Sequence, residues 1–389
     1  MSPLCESYVA ADRLNAMEPF FPLHALVCGD CKLVQLDEYV SGVEIFKDYA
    51  YFSSYSNSWV RHARDYVTAV SERFSLDAES LVFEVASNDG YLLQHFLEDG
   101  VPVLGIEPAA NVAQVAINKG IPTTVSYLSE PVAAELVREH GRADLVVANN
   151  VFAHVPQLHD FTRALKTLMK PTGVLTIEVQ HLLRLIESNQ FDTIYHEHFQ
   201  YYSVLAAERI LQMNGLSLFD VEELSTHGGS IRLYASHSGD LAKKETARLT
   251  AVRQHELEKG FDRIETYTGF QQRVRRTKRR LLRFLIEAKE SGKSIVGYGA
   301  PGKGNTLLNY CGIRDDFVDF TVDRNTYKQG KFLPGTHIAI RAPEALAEAR
   351  PDYVLVLPWN IRDEIIEQLG YIREWGGRFV VPIPELEVI

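Results

Sequence analysis

Residues Leu81 to Pro108, LVFEVASNDGYLLQHFLEDGVPVLGIEP, constrain the fold more than any other stretch of this 389-residue chain. An apolar strand runs into a tight loop ending on Gly90, a helix follows, and a second strand closes on Glu107 and Pro108. Strand-helix alternation of this kind predicts a parallel, doubly wound sheet. In such a sheet a ligand sits beyond the carboxyl ends of the strands, where Ser87, Asn88, Asp89 and Gly90 fall, and an acid ending the second strand can hold ribose hydroxyls. The pattern continues in the apolar strands Ala143 to Asn150 and Gly173 to Glu178, with helical periodicity from Asp160 to Met169 between them.

A dinucleotide fold places glycines at G-x-G-x-x-G so that a pyrophosphate can approach the backbone. Here the loop reads Ala86-Ser87-Asn88-Asp89-Gly90 and keeps only the last glycine, so the expected ligand lacks phosphate. S-adenosylmethionine fits: it brings adenosine for Glu107, a zwitterionic methionine tail for the loop, and no phosphate. The expected cofactor residues are Glu84, Ala86, Ser87, Asn88, Gly90, Glu107 and Pro108, with Asn149 and Asn150 at the neighbouring strand edge. From this segment alone, an αβ unit that merely packs is the alternative.

Leu182 to Arg232 reads as an appended section, with a helix near Ala206 to Met213 and strands near Ser217 to Leu224 and Ser230 to Ser236, turned by Thr226-His227-Gly228-Gly229. A charged helical connector follows. Within it, Val274, Leu281, Leu282 and Leu285 recur at helical spacing, so the basic run Arg273 to Arg283 reads as the solvated face of an amphipathic helix. After Gly292 the strand-helix pattern restarts, with a second loop holding Gly299, Gly302, Lys303, Gly304 and Asn305 and further strands at Phe317 to Asp323, Tyr353 to Leu357 and Arg378 to Val381. Glycines beside a lysine at a helix start suit a diphosphate, although the P-loop spacing is absent. The expected division is an N-terminal module over 1–48, a cofactor domain with the appended section over 49–240, the connector over 241–292, and a second α/β domain over 293–389.

A formal charge of −11 and a pI near 5.7 argue against a nucleic-acid or anionic-membrane partner. No apolar run is bilayer-long and the N-terminus lacks a signal-peptide pattern, so a cytoplasmic location is expected. Four cysteines suit a reducing compartment. Two of them, Cys28 and Cys31, form one knuckle of a zinc ribbon. A closed site needs four ligands, and Cys5, His24 or His62 would have to complete it; two free thiols in a turn is the alternative.

The densest set of proton-transfer groups is Tyr195-His196-Glu197-His198. On a strand, His196 and His198 would share one face, with Tyr195 and Glu197 on the other. A general base is preferred over a metal site, because the local sequence offers no further ligands. His154 follows the strand ending in Asn149-Asn150, near the edge where a ligand should sit. Tyr49, Tyr51 and Tyr55 read as a lid over a sugar or as ring packing.

Taken together, CGDC, DYAYFSSYS, EVASNDGYLL, GIEP, NNVFAHV, FDTIYHEHF, THGGSIRLYA and GYGAPGKGN resemble the nucleotide-sugar C-methyltransferases of antibiotic deoxysugar pathways, of the tetronitrose and kijanose type. The resemblance covers nearly the whole chain. It implies a class I S-adenosylmethionine-dependent methyltransferase domain of Rossmann-like form, a second Rossmann-like α/β domain at the C-terminus, and a short zinc-ribbon-like N-terminal module. It further implies that His198 is the base, with Tyr195 and Glu197 beside it and Tyr49 and His154 lining the sugar. Diphosphate or nucleotide contacts are implied near Lys303, Asn305, Asp323, Lys331, Pro358, Trp359 and Asn360. Family members bind zinc with two C-x-x-C pairs. Only the pair Cys28 and Cys31 is found here, so poor zinc binding is expected.

The implied reaction removes a proton beside the ketone of a dTDP-linked 4-keto-deoxysugar and methylates that carbon, C-3 by first choice. An O- or N-methyltransferase acting on a sugar nucleotide and an NAD-dependent sugar-nucleotide dehydrogenase or epimerase are the rivals. A monomer or weak dimer is expected.

Overall fold

The computed structural model describes residues 1–45 and 52–389, without the side chains of Val43 and Glu44. Tyr49 and Tyr51 lie outside the described residues. Two compact units form, each from separated stretches: Met1–Val27 with Leu182–His198 and Arg263–Ile389, and Cys28–His181 with Phe199–Asp262. The contiguous boundaries expected at 48, 240 and 292 do not coincide with these units. Burial explains the difference, because Phe191 and the apolar face of helix Phe270–Glu290 belong to the same core as the C-terminal strands.

The second of these units is built on seven strands: β1 (Val82–Val85), β2 (Val103–Ile106), β3 (Thr123–Thr124), β4 (Ala143–Asn149), β5 (Met169–Gln180), β6 (Leu216–Leu224) and β7 (Ser230–His237). Their order is β3-β2-β1-β4-β5-β7-β6, parallel except for β7, which runs antiparallel to both neighbours. Every residue of β1 and β2 is buried, as expected of parallel strands covered on both faces. Alternate residues feed two cores: Phe83, Ile106 and Val146 on one face, Val82, Val103 and Val147 on the other. Helix Asn57–Phe74 covers the latter face with Ala63, Tyr66, Val67 and Val70, at helical spacing, and Ser56 caps its start by accepting the Trp59 N–H. The chain leaves β1 and β4 in opposite directions across the sheet, which opens a crevice beyond their carboxyl ends.

The six-stranded unit repeats that plan. Strands β8 (Ile295–Tyr298), β9 (Thr321–Val322), β10 (Ile340–Arg341), β11 (Tyr353–Val356), β12 (Arg378–Val381) and β13 (Glu387–Val388) lie in the order β10-β9-β8-β11-β12-β13, with only β13 antiparallel. The strand expected over 317–323 shortens to β9, because the Phe317 and Val318 amides turn back onto the Arg314 carbonyl. Helix Phe270–Glu290 buries Val274, Leu281 and Leu285, with Leu282 half-buried; Arg275, Arg276, Arg279, Arg280 and Arg283 are exposed as the spacing predicts, while Arg273 and Lys278 are half-buried. Among the described residues no helix is long and apolar enough to cross a membrane.

Candidate active site

In the seven-stranded unit, the loop after β1 turns through Ala86, Asn88 and Gly90, all with positive φ (57°, 51° and 77°). Gly90 is required by packing as well, since a Cβ there would overlap Ile121 Cδ1. Gly105 in β2 gives room to the loop: a Cβ would stand 2.5 Å from Ser87 Oγ. Glu107 directly follows β2, and its oxygens already accept the Asn88 N–H at 2.9 Å and the Ala109 N–H at 2.8 Å. It therefore shapes the loop, with lone pairs left over for a hydroxyl.

Three carboxylates, Glu84, Asp89 and Glu107, converge on this crevice, and all are buried. Burial, reinforced by the charges of Glu107 and Asp89, pushes the Glu84 carboxyl well above the usual carboxylate range. Glu107 is also raised by burial, against the two amides it accepts. Glu84 Oε2, Ser87 Oγ, Asp89 Oδ1, Asn149 Oδ1 and Asn150 Nδ2 are buried without hydrogen-bond partners. Orphaned acceptors among clustered acids fit a cationic ligand with hydroxyls and an ammonium group; they would repel a pyrophosphate. Ser53 and Ser54 close over the loop, their amides donating to Asn88 Oδ1 at 2.9 Å and Asp89 Oδ2 at 3.3 Å, and the Ser54 hydroxyl also donates to Asp89. His154 lies in the turn Phe152–His154 after β4, half-buried.

At the end of β5, Glu178 was not foreseen from the sequence. Its burial would raise its pKa, yet His62 at 3.0 Å and Arg232 at 2.7 Å hold the carboxyl down to about 2. The Thr226 hydroxyl also donates to it, at 3.2 Å. This fixes the turn bearing His227, a non-glycine residue at φ 53°.

Cys28 and Cys31 flank a turn in which the Cys28 amide donates to the Leu33 carbonyl. Amides of Cys31 and Asp30 lower the Cys28 thiol, while burial raises that of Cys31. Two cysteines on one turn, the Cys28 thiol lowered by backbone amides, fit half of a zinc site. Among the described residues no group of three or more His, Cys, Asp or Glu is placed to hold a metal, and no chemical step is assigned to zinc.

In the six-stranded unit, Tyr195 to His198 do not form the expected strand. The His198 amide donates to the Tyr195 carbonyl at 3.0 Å, closing a turn, so the face-by-face alternation is replaced by a tilted ring contact of Tyr195 with His198, centroids 4.3 Å apart. The turn separates the histidines. His196 is buried with Nε2 3.0 Å from the Pro22 carbonyl and its ring edge-on to Phe21. Glu197 is buried, accepts the Cys5 thiol at 3.7 Å, and is pushed by burial and by Glu6 to about 8, so it is protonated near neutral pH. His198 is half-buried, with Nδ1 3.2 Å from the Thr193 carbonyl. That contact requires the proton on Nδ1 and makes Nε2 the basic nitrogen.

The glycine-rich loop of the same unit is packed by its own chain. A Cβ on Gly299 would meet Pro358 Cδ at 2.7 Å, one on Gly302 would meet Cys5 Sγ at 2.9 Å and Glu6 Oε1 at 3.0 Å, and one on Gly304 would meet Leu357 Cβ at 2.9 Å. Protein contacts thus account for these glycines without a ligand. Lys303 donates to Asn360 Oδ1 at 2.8 Å and lies 4.8 Å over the Trp359 ring. Asn305 Nδ2 donates to the Cys5 carbonyl at 2.6 Å, while its Oδ1 is buried without a hydrogen-bond partner. Asp323 accepts the Ala300 and Asn325 amides at 2.6 and 2.7 Å, the counterpart of Glu107. Lys331 stacks on Tyr327.

A methyltransferase-domain family model matches residues 59–221, a model of C-methyltransferase C-terminal domains matches 225–384, and one described as "Putative zinc binding domain" matches 1–46. The C-methyltransferase NovU of Streptomyces niveus is 37% identical over 392 residues, 100% of this chain and 92% of that protein. The chain belongs to the C-methyltransferase family. A ubiquinone biosynthesis O-methyltransferase of Rhodopseudomonas palustris strain TIE-1 is 28% identical over 120 residues, 28% of this chain and 46% of that protein. Among solved structures, the magnesium protoporphyrin IX methyltransferase ChlM of Synechocystis PCC 6803 with bound S-adenosylhomocysteine is 19% identical, with a TM-score of 0.38 over 50% of this chain and 91% of that one. The CcbJ methyltransferase of Streptomyces caelestis is 12% identical, with a TM-score of 0.36 over 46% of this chain and 90% of that one.

This C-methyltransferase depends on S-adenosylmethionine. The acid cluster around Glu84 and the orphaned polar atoms of Ser87, Asp89 and Asn149 are the groups that would hold the cofactor. The nicotinamide alternative is set aside.

Proposed function

We propose that the C-methyltransferase acts on a dTDP-linked 4-keto-deoxysugar, methylating the carbon beside the ketone, C-3 by preference, in the cytoplasm and as a monomer or weak dimer. The observation that carries this reading is the Nδ1–H of His198 on the Thr193 carbonyl, with its ring on Tyr195. Of the four groups in the Tyr195–His198 turn, His196 and Glu197 are buried against other partners, and His198 alone combines a basic nitrogen with partial exposure.

Carbon is a poor nucleophile, so a C–H beside a carbonyl must first lose its proton. His198 Nε2 takes that proton; the C–H electron pair becomes the enolate, whose oxygen is stabilised by donors assigned to Tyr195, His154 and Tyr49. When bound, S-adenosylmethionine supplies an electrophilic methyl group on sulfur. That methyl group would be the one the enolate carbon takes, and His198 would return its proton to water. Lys303, Asn305, Asp323, Lys331 and the Pro358-Trp359-Asn360 segment are assigned to the nucleotide diphosphate; the lysines supply charge, and Trp359 an aromatic face.

His198→Asn keeps a polar side chain of similar size without the base. Methyl transfer should fall about 10²–10⁴-fold while both ligands still bind. In deuterated water without cofactor, the wild type should exchange the proton beside the ketone and the variant should not. Exchange at the wild-type rate in the variant would refute the assignment of the base, and NMR connectivity of a product methylated on oxygen or nitrogen would refute the carbon-acid reaction.

A further inference from the structure

Asp192 has no part in the reaction as described, and it is an expensive residue to keep: a carboxylate with none of its surface exposed. Its Oδ2 accepts the Trp359 indole N–H at 2.7 Å, while Oδ1 is buried without a hydrogen-bond partner, so the indole bond is what aims the carboxylate. Asp192 is the middle residue of the short turn Phe191–Thr193. Phe191 anchors one side of this turn in the core, edge-on to Tyr310, and the Thr193 hydroxyl ties the other side to the Gln190 carbonyl at 2.7 Å. The carbonyl leaving the turn, that of Thr193, faces His198 Nδ1. On its far side Trp359 carries Lys303 over its ring, and Lys303 is bound to Asn360. A continuous set of directed contacts therefore runs from Asn360 and Lys303 through Trp359 and Asp192 to the carbonyl that orients His198.

We propose that Asp192 is a positioning residue: by accepting the Trp359 N–H it fixes the Phe191–Thr193 turn and hence the tautomer and aim of His198, tying the base to the loop of Lys303, Trp359 and Asn360. The electrostatics support this. Burial raises the Asp192 carboxyl to about 7 and lowers the Lys303 ammonium to about 8, each opposed by the other's charge, so the cluster is poised to respond to an anion arriving at Lys303. The inference rests on the reading of His198 as the base, but its primary test does not.

The test is side-chain ¹⁵N NMR of histidine-labelled full-length protein without substrate, the His198 signals being assigned by their loss in His198→Asn. Wild type should show the Nδ1–H tautomer. Asp192→Ala and Trp359→Phe should show a mixture of tautomers, whereas Asp192→Asn, which keeps an acceptor for the indole, should restore the wild-type pattern. At saturating substrate, kcat should fall roughly 10- to 100-fold in the first two variants, the worth of one hydrogen bond to a charged group, with cofactor affinity unchanged. Should Asp192→Ala fail to fold, Trp359→Phe decides, since it removes the donor and keeps an aromatic ring. A folded Trp359→Phe protein with an unshifted tautomer and wild-type kcat would overturn the proposal. Loss of the base assignment by proton exchange would leave the tautomer result standing or falling on its own.

Discussion

Glu84 shows how one buried acid can report on a ligand. Its carboxyl is raised well above the usual range by burial, so the folded protein holds a proton there that the unfolded chain has already released. The sign follows: this residue lowers stability as pH rises from the ordinary carboxylate range toward its folded pKa. A cationic ligand favours the ionised form and pulls that pKa back down, so cofactor binding should release up to one proton and tighten with rising pH in this window. Calorimetry in two buffers of different ionisation enthalpy measures the release. Glu84→Gln should reduce it, and an equal release in the variant would assign the proton to another group. The acid was legible as part of the VFEVASNDG strand; its electrostatic role was not, because that depends on Glu107 and Asp89 being brought beside it by β2 and the loop.

Among the elements, β2 does more than end on an acid. Gly105 gives the Ser87 side chain its place, and a methyl group there would stand 2.5 Å from Ser87 Oγ and 3.1 Å from Thr123 Oγ1. Gly105→Ala should cost about 1–3 kcal/mol of stability through overpacking and should weaken cofactor binding by displacing the loop. Gly297→Ala in β8 is the matched control: its Cβ would meet Thr321 Oγ1 at 2.7 Å, so it should destabilise comparably yet leave cofactor affinity alone. Thermal unfolding and calorimetry on the two variants check both statements, and equal cofactor loss in both would remove the special role of β2. Strand positions were read well here because a parallel strand buried on both faces is a continuous apolar run. The Tyr195–His198 run was misread as a strand because alternation of polar types says nothing about whether a ladder partner exists, and the backbone closed a turn instead.

For the whole molecule, the six-stranded unit draws on three parts of the chain. Met1–Val27 supplies the Cys5 carbonyl to Asn305 and the Glu6 carboxylate to Lys328 at 3.7 Å, and Leu182–His198 supplies Asp192 to Trp359 and Phe191 to the core. A fragment of residues 293–389 alone would leave these groups unpaired and would also lose the helix Phe270–Glu290. It should lack a cooperative thermal transition and be digested readily by protease, although it contains all six strands. A fragment that melted cooperatively would show that the C-terminal strands fold without the other two segments.

The sequence by itself determined the local elements and their class. Apolar runs spaced by helical periods specify parallel strands and crossover helices, the loop Ala86–Gly90 excludes a pyrophosphate cradle, and the ordered motifs from CGDC to GYGAPGKGN point to the family. Those signals are local, so they survive without knowledge of the partners. Tertiary structure alone decided which groups became neighbours: that Glu107 holds two backbone amides, that the second loop's glycines face Pro358, Cys5 and Leu357, and that Asp192 meets Trp359 at a sequence separation of 167. Burial and pairing set the charge state of each acid, and both are properties of contacts between segments far apart in the chain, on which no spacing rule acts.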